Sequence, residues 1–374
     1  MPAIAWTGSS VIISAVDSLG NLYYWWQAAD TTPWRRETVA TGISPTFSGT
    51  IAWTGSSVVI TATDFSGNLK YWWQKADTAT WHEETVATGQ YGPPAIAWTG
   101  SSVVIAAIDS SGNLNFWWQK ADTTTWRQQI VATGQYGGQN GQPAMAWTGS
   151  SVVIAATDDS GNLNYWWQEA DTVPWNQETV ATGVLSSTGL QGGALPAIAW
   201  TGSSVVVAAT DRSDTLNFWW QTAGAAAWNH ETVATAQYGP PAIAWSGTSV
   251  VIAMADYMGN LDYSWQKADT ATWHKETVAA SDVGYYPQSA IAWTGSSVVI
   301  TAVELSGNLN YWWQKADTST CTRRQWPISW GDGPLKGHFL TGQTMVTEER
   351  RKPKGVPPKR VGQVSKVWIE IHRG

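Results

Sequence analysis

The chain has a single cysteine, Cys321, so no disulfide framework holds it together. Its five histidines, His82, His230, His274, His338 and His372, show no metal-ligand spacing. No apolar run approaches the ~20 residues of a membrane-spanning helix, and no 3.6-residue hydrophobic period appears that would mark an amphipathic helix. No signal peptide is visible, because Met1-Pro2 leads straight into repetitive sequence. Both a cytoplasmic and a secreted location stay open. Charge is scarce, at 13% of 374 residues, and unevenly placed. Residues 1–320 hold 10 Lys+Arg and 24 Asp+Glu, a net of −14, whereas residues 321–374 hold 11 and 4, a net of +7. An acidic body argues against nucleic acid, which needs a basic face.

What the chain does have is tryptophan. It holds 29, and 26 of them fall at fixed places in a repeat written seven times. Each copy opens on a Trp, at Trp6, Trp53, Trp98, Trp147, Trp200, Trp245 and Trp293, spaced by 45 to 53 residues. The copies span 2–49, 50–93, 94–142, 143–195, 196–240, 241–288 and 289–320, and together form one unit, 1–320. Periods of this size belong to blades, solenoids or arrays.

Each copy divides into four short runs rich in β-branched and aromatic residues. In the second copy they are Ile51-Ala-Trp53, Val58-Val-Ile-Thr-Ala-Thr63, Leu69-Lys-Tyr-Trp-Trp-Gln74 and Trp81-His-Glu-Glu-Thr-Val-Ala87. Gly-containing turns separate the first three. Four antiparallel strands in about 45 residues is the blade of a β-propeller. The sequence thus predicts an all-β, seven-bladed β-propeller. Alternation along the third run sends Leu22, Tyr24 and Trp26 to one face, and Tyr23, Trp25 and Gln27 to the other. Linkers between copies vary, from the short 90–93 to the long 184–195, as surface loops do.

The seventh copy departs after Thr320. Where Trp-His-x-Glu-Thr-Val-Ala is due, the chain reads Cys321-Thr-Arg-Arg-Gln-Trp-Pro327. Deleting one base of a TGG codon ahead of CAC turns Trp-His into Cys-Thr. Re-phasing the following codons by one base permits Glu-Thr-Val-Ala. Residues 321–374 are therefore read as a divergent basic tail, disordered or out of frame, that leaves blade seven incomplete. A genuine flexible basic tail, with Lys352-Pro-Lys-Gly-Val-Pro-Pro-Lys-Arg360, is the other reading.

The third and fourth runs carry a family resemblance. Asn68-Leu-Lys-Tyr-Trp-Trp-Gln-Lys-Ala-Asp-Thr-Ala-Thr-Trp81, and the matching stretches 113–126 and 162–175, resemble the repeat of the PLL-like (Photorhabdus-type) seven-bladed propeller lectins. The resemblance spans residues 2–320. It implies carbohydrate binding in shallow sites between blades, with fucose or O-methylated sugars as ligands, and it admits a homo-oligomer. One departure bears on the sugar: the second run here, Val58-Val-Ile-Thr-Ala-Thr-Asp64, lacks the Glu and Arg common in that family.

Candidate sugar-stacking residues are the first Trp of the Trp-Trp pair: Trp25, Trp72, Trp117, Trp166, Trp219 and Trp312. Inter-blade packing is the competing reading for them. Blade six has Ser264 there, and a core Trp-to-Ser change would leave a costly cavity. The second Trp, which never varies, and the neighbouring Tyr/Phe position are read as core. A second candidate set pairs the fourth-run Trp34, Trp81, Trp126, Trp175, Trp228 and Trp273 with Glu37, Glu84, Glu178, Glu231 and Glu276, and edge covering competes with binding there. The Asp64, Asp109 and Asp158 turns suit turn chemistry rather than calcium, which needs more oxygens at set spacing. Neither a metal nor a cofactor is implied. Near-identical blades argue against one specialised catalytic centre, so the chain is not read as an enzyme. The function expected is multivalent glycan binding. A protein–protein scaffold is the alternative, and a propeller glycoside hydrolase stands behind both.

Overall fold

The computed structural model describes residues 2–315, apart from 29–32, 47–48, 77, 79, 90, 121–122, 124, 135, 137–140, 170–173, 185–194, 268–271, 281–288 and 305–306. The tail 321–374 and most of the long linker 184–195 lie outside the described residues. The described residues form a seven-bladed β-propeller without helices. Blade one is β1 (Pro2–Trp6), β2 (Ser10–Val16), β3 (Leu22–Ala28) and β4 (Arg35–Ala40). Blade two is β5 (Thr50–Trp53), β6 (Ser57–Thr63), β7 (Leu69–Lys75) and β8 (His82–Ala87). The order repeats through β9–β20 in blades three to five. Blade six is β21 (Gln237–Trp245), β22 (Ser249–Asp256), β23 (Leu261–Lys267) and β24 (His274–Ala279). Blade seven has three described strands, β25 (Ser289–Trp293), β26 (Ser297–Val303) and β27 (Leu309–Lys315). Every sheet is an antiparallel meander in chain order.

The turns between strands are built from local side-chain bonds. Asp109 Oδ1 accepts from the backbone N–H of Ser111 and Asn113, both at 2.9 Å. Its Oδ2 accepts from the Asn113 and Asn115 amides at 3.0 Å. Burial opposes ionisation of Asp109, but these bonds to Asn113, Asn115 and Ser111 hold its carboxyl below the ordinary carboxylate range. Gly112 takes φ +75° in that turn, a conformation other residues rarely adopt. The carboxylate is thus a turn acceptor, as the sequence suggested.

The two faces of each blade are both apolar, and each face is buried by a different neighbour. Leu22, Tyr24 and Trp26 pack with Ile51, Val58, Ile60 and Trp72 of blade two. Tyr23 and Trp25, on the opposite face, pack with Val299, Leu309 and Tyr311 of blade seven. This is the alternation read from the third run, and it closes the ring by side-chain packing between the first and last blades. The first strands of the seven blades surround a central cavity of about 270 Å³. Small residues such as Ala3, Thr50, Ala95, Ala144, Ala197 and Ala242 line it, as close approach of seven strands requires.

Blade six shows how the ring accommodates Ser264. In the other blades the first Trp of the pair lies opposite an Ile or Val, as Ile60 opposite Trp72, with an Ala two residues on, such as Ala62. In blade six Ile252 faces Ser264, and the residue two positions on is Met254, which is buried. Met254 joins the core between blades five and six with Leu216, Phe218 and Ile252. A flexible thioether chain thus occupies space on the same face as the missing indole. The cavity that argued for a functional role of this position is reduced by a second substitution on the neighbouring strand.

This pairing has a measurable consequence. Met254→Ala lowers unfolding free energy by about 2–4 kcal/mol. Ser264→Trp alone overpacks the site, and the double variant recovers most of the stability of the parent. Urea-unfolding midpoints of the three variants check the expected non-additivity.

Candidate functional site

The two sets of sequence candidates occupy different depths. Trp25, Trp72, Trp117, Trp166, Trp219 and Trp312 are between 0% and 5% exposed. They fill the inter-blade core, where Trp117 meets the edge of Tyr91 at 5.2 Å and Trp166 meets Tyr136 at 5.4 Å. An enclosed ring has no face to offer a sugar in this conformation, so packing accounts for these six positions. The second Trp of the pair, read from sequence as core, is the more open one. Trp26, Trp73, Trp118, Trp167, Trp220, Trp265 and Trp313 are all half-buried. Trp26 stacks on Tyr24 at 5.1 Å, and Trp73 lies over His82 at 4.0 Å.

The second candidate set is brought together across blade boundaries. Glu37 belongs to blade one and Trp81 to blade two. The Trp81 indole Nε1–H donates to Glu37 Oε2 at 3.0 Å, and the Gln74 amide donates to the same oxygen at 3.0 Å. The Trp81 ring also meets the edge of Tyr24 at 5.3 Å. The arrangement recurs. Trp126 and Gln119 donate to Glu84 at 2.9 and 3.0 Å. Trp228 and Gln221 donate to Glu178 at 3.3 and 3.0 Å. Trp273 and Gln266 donate to Glu231 at 3.1 and 2.7 Å. Each unit is a latch in which a carboxylate of one blade holds an indole and an amide of the next.

Three junctions break the pattern. Blade three carries Gln129 in place of the glutamate. Its side-chain oxygen accepts from Gln168 at 3.1 Å, and the buried Trp175 Nε1 is left without a partner. At the ring closure Trp34, 8% exposed, meets the edge of Tyr311 at 5.1 Å, but its Nε1 also has no partner. Glu276, on blade six, lines a cleft with Gln314 of blade seven, and no described Trp stands at the position that would complete the unit.

In the four complete latches Oε2 takes both bonds. Oε1 of Glu37, Glu84, Glu178 and Glu231 accepts no hydrogen bond among the described residues. That oxygen lies beside half-buried indoles and can accept from a hydroxyl. The glutamine was the latch residue missed in the sequence. It is present in all seven copies, and alternation put it on an apolar face, where a buried amide demands a partner. Among the described residues no group of three His, Cys, Asp or Glu side chains could hold a metal ion. Tyr24, Tyr71 and Tyr165 lie beside the latches. Burial first, and the carboxylates of Glu37, Glu84 and Glu178 second, push their phenols well above the ordinary value of 10.0.

No protein-family model and no curated protein matches the chain. Solved structures do. The BP39L lectin from Burkholderia pseudomallei superposes with a TM-score of 0.74 at 16% identity, covering 88% of this chain and 98% of that one. The fungal Aleuria aurantia lectin, a six-bladed propeller described with a fucose recognition mode, gives 0.53 at 9% identity, covering 80% and 100%. A prolyl endopeptidase gives 0.57 at 9% identity, covering 87% of this chain and 49% of that one. At these identities the likeness is one of fold.

The latches set two expectations. Glu84→Gln makes the junction between blades two and three like that of Gln129, and costs about 1–3 kcal/mol, whereas Gln129→Glu raises the melting temperature by giving Trp175 an acceptor. Calorimetry of the two single variants measures both signs. The buried neutral phenols of Tyr24, Tyr71 and Tyr165 contribute stability that is full below their ordinary pKa of 10.0 and is lost as the pH climbs above it. An alkaline unfolding series on wild type against Tyr71→Phe should show a shallower loss in the variant.

Proposed function

We propose that the protein is a multivalent carbohydrate-binding propeller whose sites lie at the junctions between blades. The observation that carries this reading is the repeated meeting of a half-buried indole, an amide and a carboxylate with one open oxygen. Indole faces stack on the apolar face of a pyranose, and a carboxylate oxygen accepts from its hydroxyls. At the first junction the wall is Trp26 and Trp81, and the acceptor is Glu37. Corresponding sites use Trp126 with Glu84, Trp228 with Glu178 and Trp273 with Glu231. Trp25 and its five equivalents support the wall from behind.

The likeness to the BP39L lectin and to Aleuria aurantia lectin supports this reading, as does the repeat's resemblance to the PLL-like lectins. Fucose or an O-methylated sugar is the first ligand to test. Each shallow site is weak by itself, and several sites on one glycan surface gain on the order of 10²–10⁴ in avidity. Repetition favours binding over catalysis, because a catalytic centre is needed once and needs asymmetry.

A glycan array tests the reading. The protein is expected to bind a subset of glycans, and Trp26→Ala combined with Trp73→Ala should weaken that binding with the far-ultraviolet circular dichroism unchanged. Trp72→Ala should instead cost about 3–5 kcal/mol of stability. Absence of binding to every glycan at high surface density would reject the lectin reading in favour of a protein-binding scaffold.

A further inference from the structure

The innermost strand of each blade turns both side-chain faces toward neighbouring blades. Ile4 packs toward blade seven, and Ala3 and Ala5 pack toward blade two. What such a strand presents to the central cavity is its backbone edge. Register decides which groups face inward. The Thr7 N–H donates to the Ser10 carbonyl at 3.0 Å, so this pair carries ladder bonds. Bonded and non-bonded pairs alternate in an antiparallel ladder. Counting back along β1, the Ala5–Ile12 and Ala3–Ser14 pairs are bonded, and the backbone groups of Ile4 and Pro2 point away from β2, at the axis. Thr54, Thr99, Thr148, Thr201, Ser246 and Thr294 make the equivalent turn bond, so the same positions face the axis in every blade.

The two inward rings differ in composition. At the level of Ile4 every residue brings one N–H and one carbonyl, so donors and acceptors balance. Two residues earlier, five blades have proline, at Pro2, Pro94, Pro143, Pro196 and Pro241. An edge strand permits proline, which keeps the carbonyl and lacks the donor. Gly49 and Ser289 complete the ring, which therefore carries seven acceptors against two donors. All of these except Pro94 line the cavity of about 270 Å³. Side chains at this position point between blades: a Cβ on Gly49 would meet Ala62 at 3.5 Å and Leu22 of blade one at 3.6 Å. The Thr50 hydroxyl donates to the Pro94 carbonyl at 3.4 Å, which still leaves that oxygen a lone pair.

Charge around this end of the ring has one sign. Pro2 pairs with Ala15 and Val16 with Leu22, so the proline ring lies at the end of the β2–β3 turns. The seven such turns, 17–21 and its equivalents, hold one leading carboxylate each, with Asp159 and Asp214 besides, against a single cation, Arg212. The six linkers that join one blade to the next hold no Lys or Arg. A cleft surrounded by one sign of charge concentrates the opposite ion.

We propose that the proline end of the central cavity binds a hydrated divalent cation of the Mg²⁺ type, held through its water shell. The cavity is too wide for the carbonyls to close on a bare ion at ~2.0–2.6 Å, and Mg²⁺ gives up its waters reluctantly. A shell of six waters takes up roughly 180 Å³ at ~30 Å³ each, which the cavity can hold. Waters on a cation are strong donors, the groups that an acceptor-rich ring lacks. The turn carboxylates act at a distance through their field and stay bonded in their turns, as Asp109 is. The site is separate from the blade junctions, so the inference is independent of sugar binding.

The test is calorimetric titration of the full chain with Mg²⁺ and, separately, with hexaamminecobalt(III), whose six ammines do not exchange and so mimic a hydrated ion. Each is expected to bind at one ion per chain. Pro143→Ala combined with Pro196→Ala adds two inward N–H groups and should weaken both ions about tenfold. Gly49→Pro removes one and should tighten them. Gly49 and Ser289 already fill this position without proline, so the double variant should keep the circular dichroism of the parent. The proposal is overturned if either ion shows no saturable binding up to about 10 mM. It is equally overturned if several ions bind per chain with no dependence on the proline variants, which would mark diffuse attraction to the acidic surface.

Discussion

A four-stranded sheet with two apolar faces has no stable existence alone in water. Six blades here are such sheets, and the three described strands of blade seven form another with two apolar faces. Leu22, Tyr24 and Trp26 need blade two, and Tyr23 and Trp25 need blade seven. That mutual requirement makes the ring the unit of folding, and it explains the tryptophan content. A large flat side chain covers much of a neighbouring sheet and leaves few gaps. The carboxylate latches add direction to this packing. They tie specific atoms of one blade to specific atoms of the next, so the angle between blades is set by hydrogen-bond geometry as well as by shape.

The period-two alternation of the third run and the Gly-containing turns made the blade legible in the sequence. Copy number and the interruption after Thr320 were legible for the same reason: a repeat exposes its own exceptions. Side-chain depth was much less legible. The invariant second Trp proved half-buried rather than enclosed, and the first Trp, replaced once by Ser264, proved to be the enclosed one. Variation misled because it was compensated on another strand, by Met254, and such pairs are visible only when registers are known. The pairing of Glu37 with Trp81 was equally hidden, since the two residues lie in different copies and no local pattern links them.

The same groups serve packing and the proposed recognition. Glu37 uses one carboxylate oxygen to hold two donors and leaves the other oxygen without a bond. A carboxylate fixed in this way is preorganised: its orientation is set before any ligand arrives, so little side-chain freedom is lost on binding. A shallow site on a rigid ring can therefore be weak in contact area and still be selective in geometry.

The unsatisfied Trp175 indole has a consequence beyond its own junction. Links in a closed ring act in series, and a circle opens wherever its weakest link fails. Among the described residues, the junction of Gln129 with blade four and the closure at Trp34 are the two where the Trp ahead of a fourth strand lacks its acceptor. They lie on opposite sides of the circle. With the junction of blades six and seven, where no described Trp completes a latch, they leave two arcs held by complete latches, blades one to three and blades four to six. Under thermal or mechanical load the molecule would then behave less like seven equal sectors than like two stiff segments joined by one compliant seam and by blade seven.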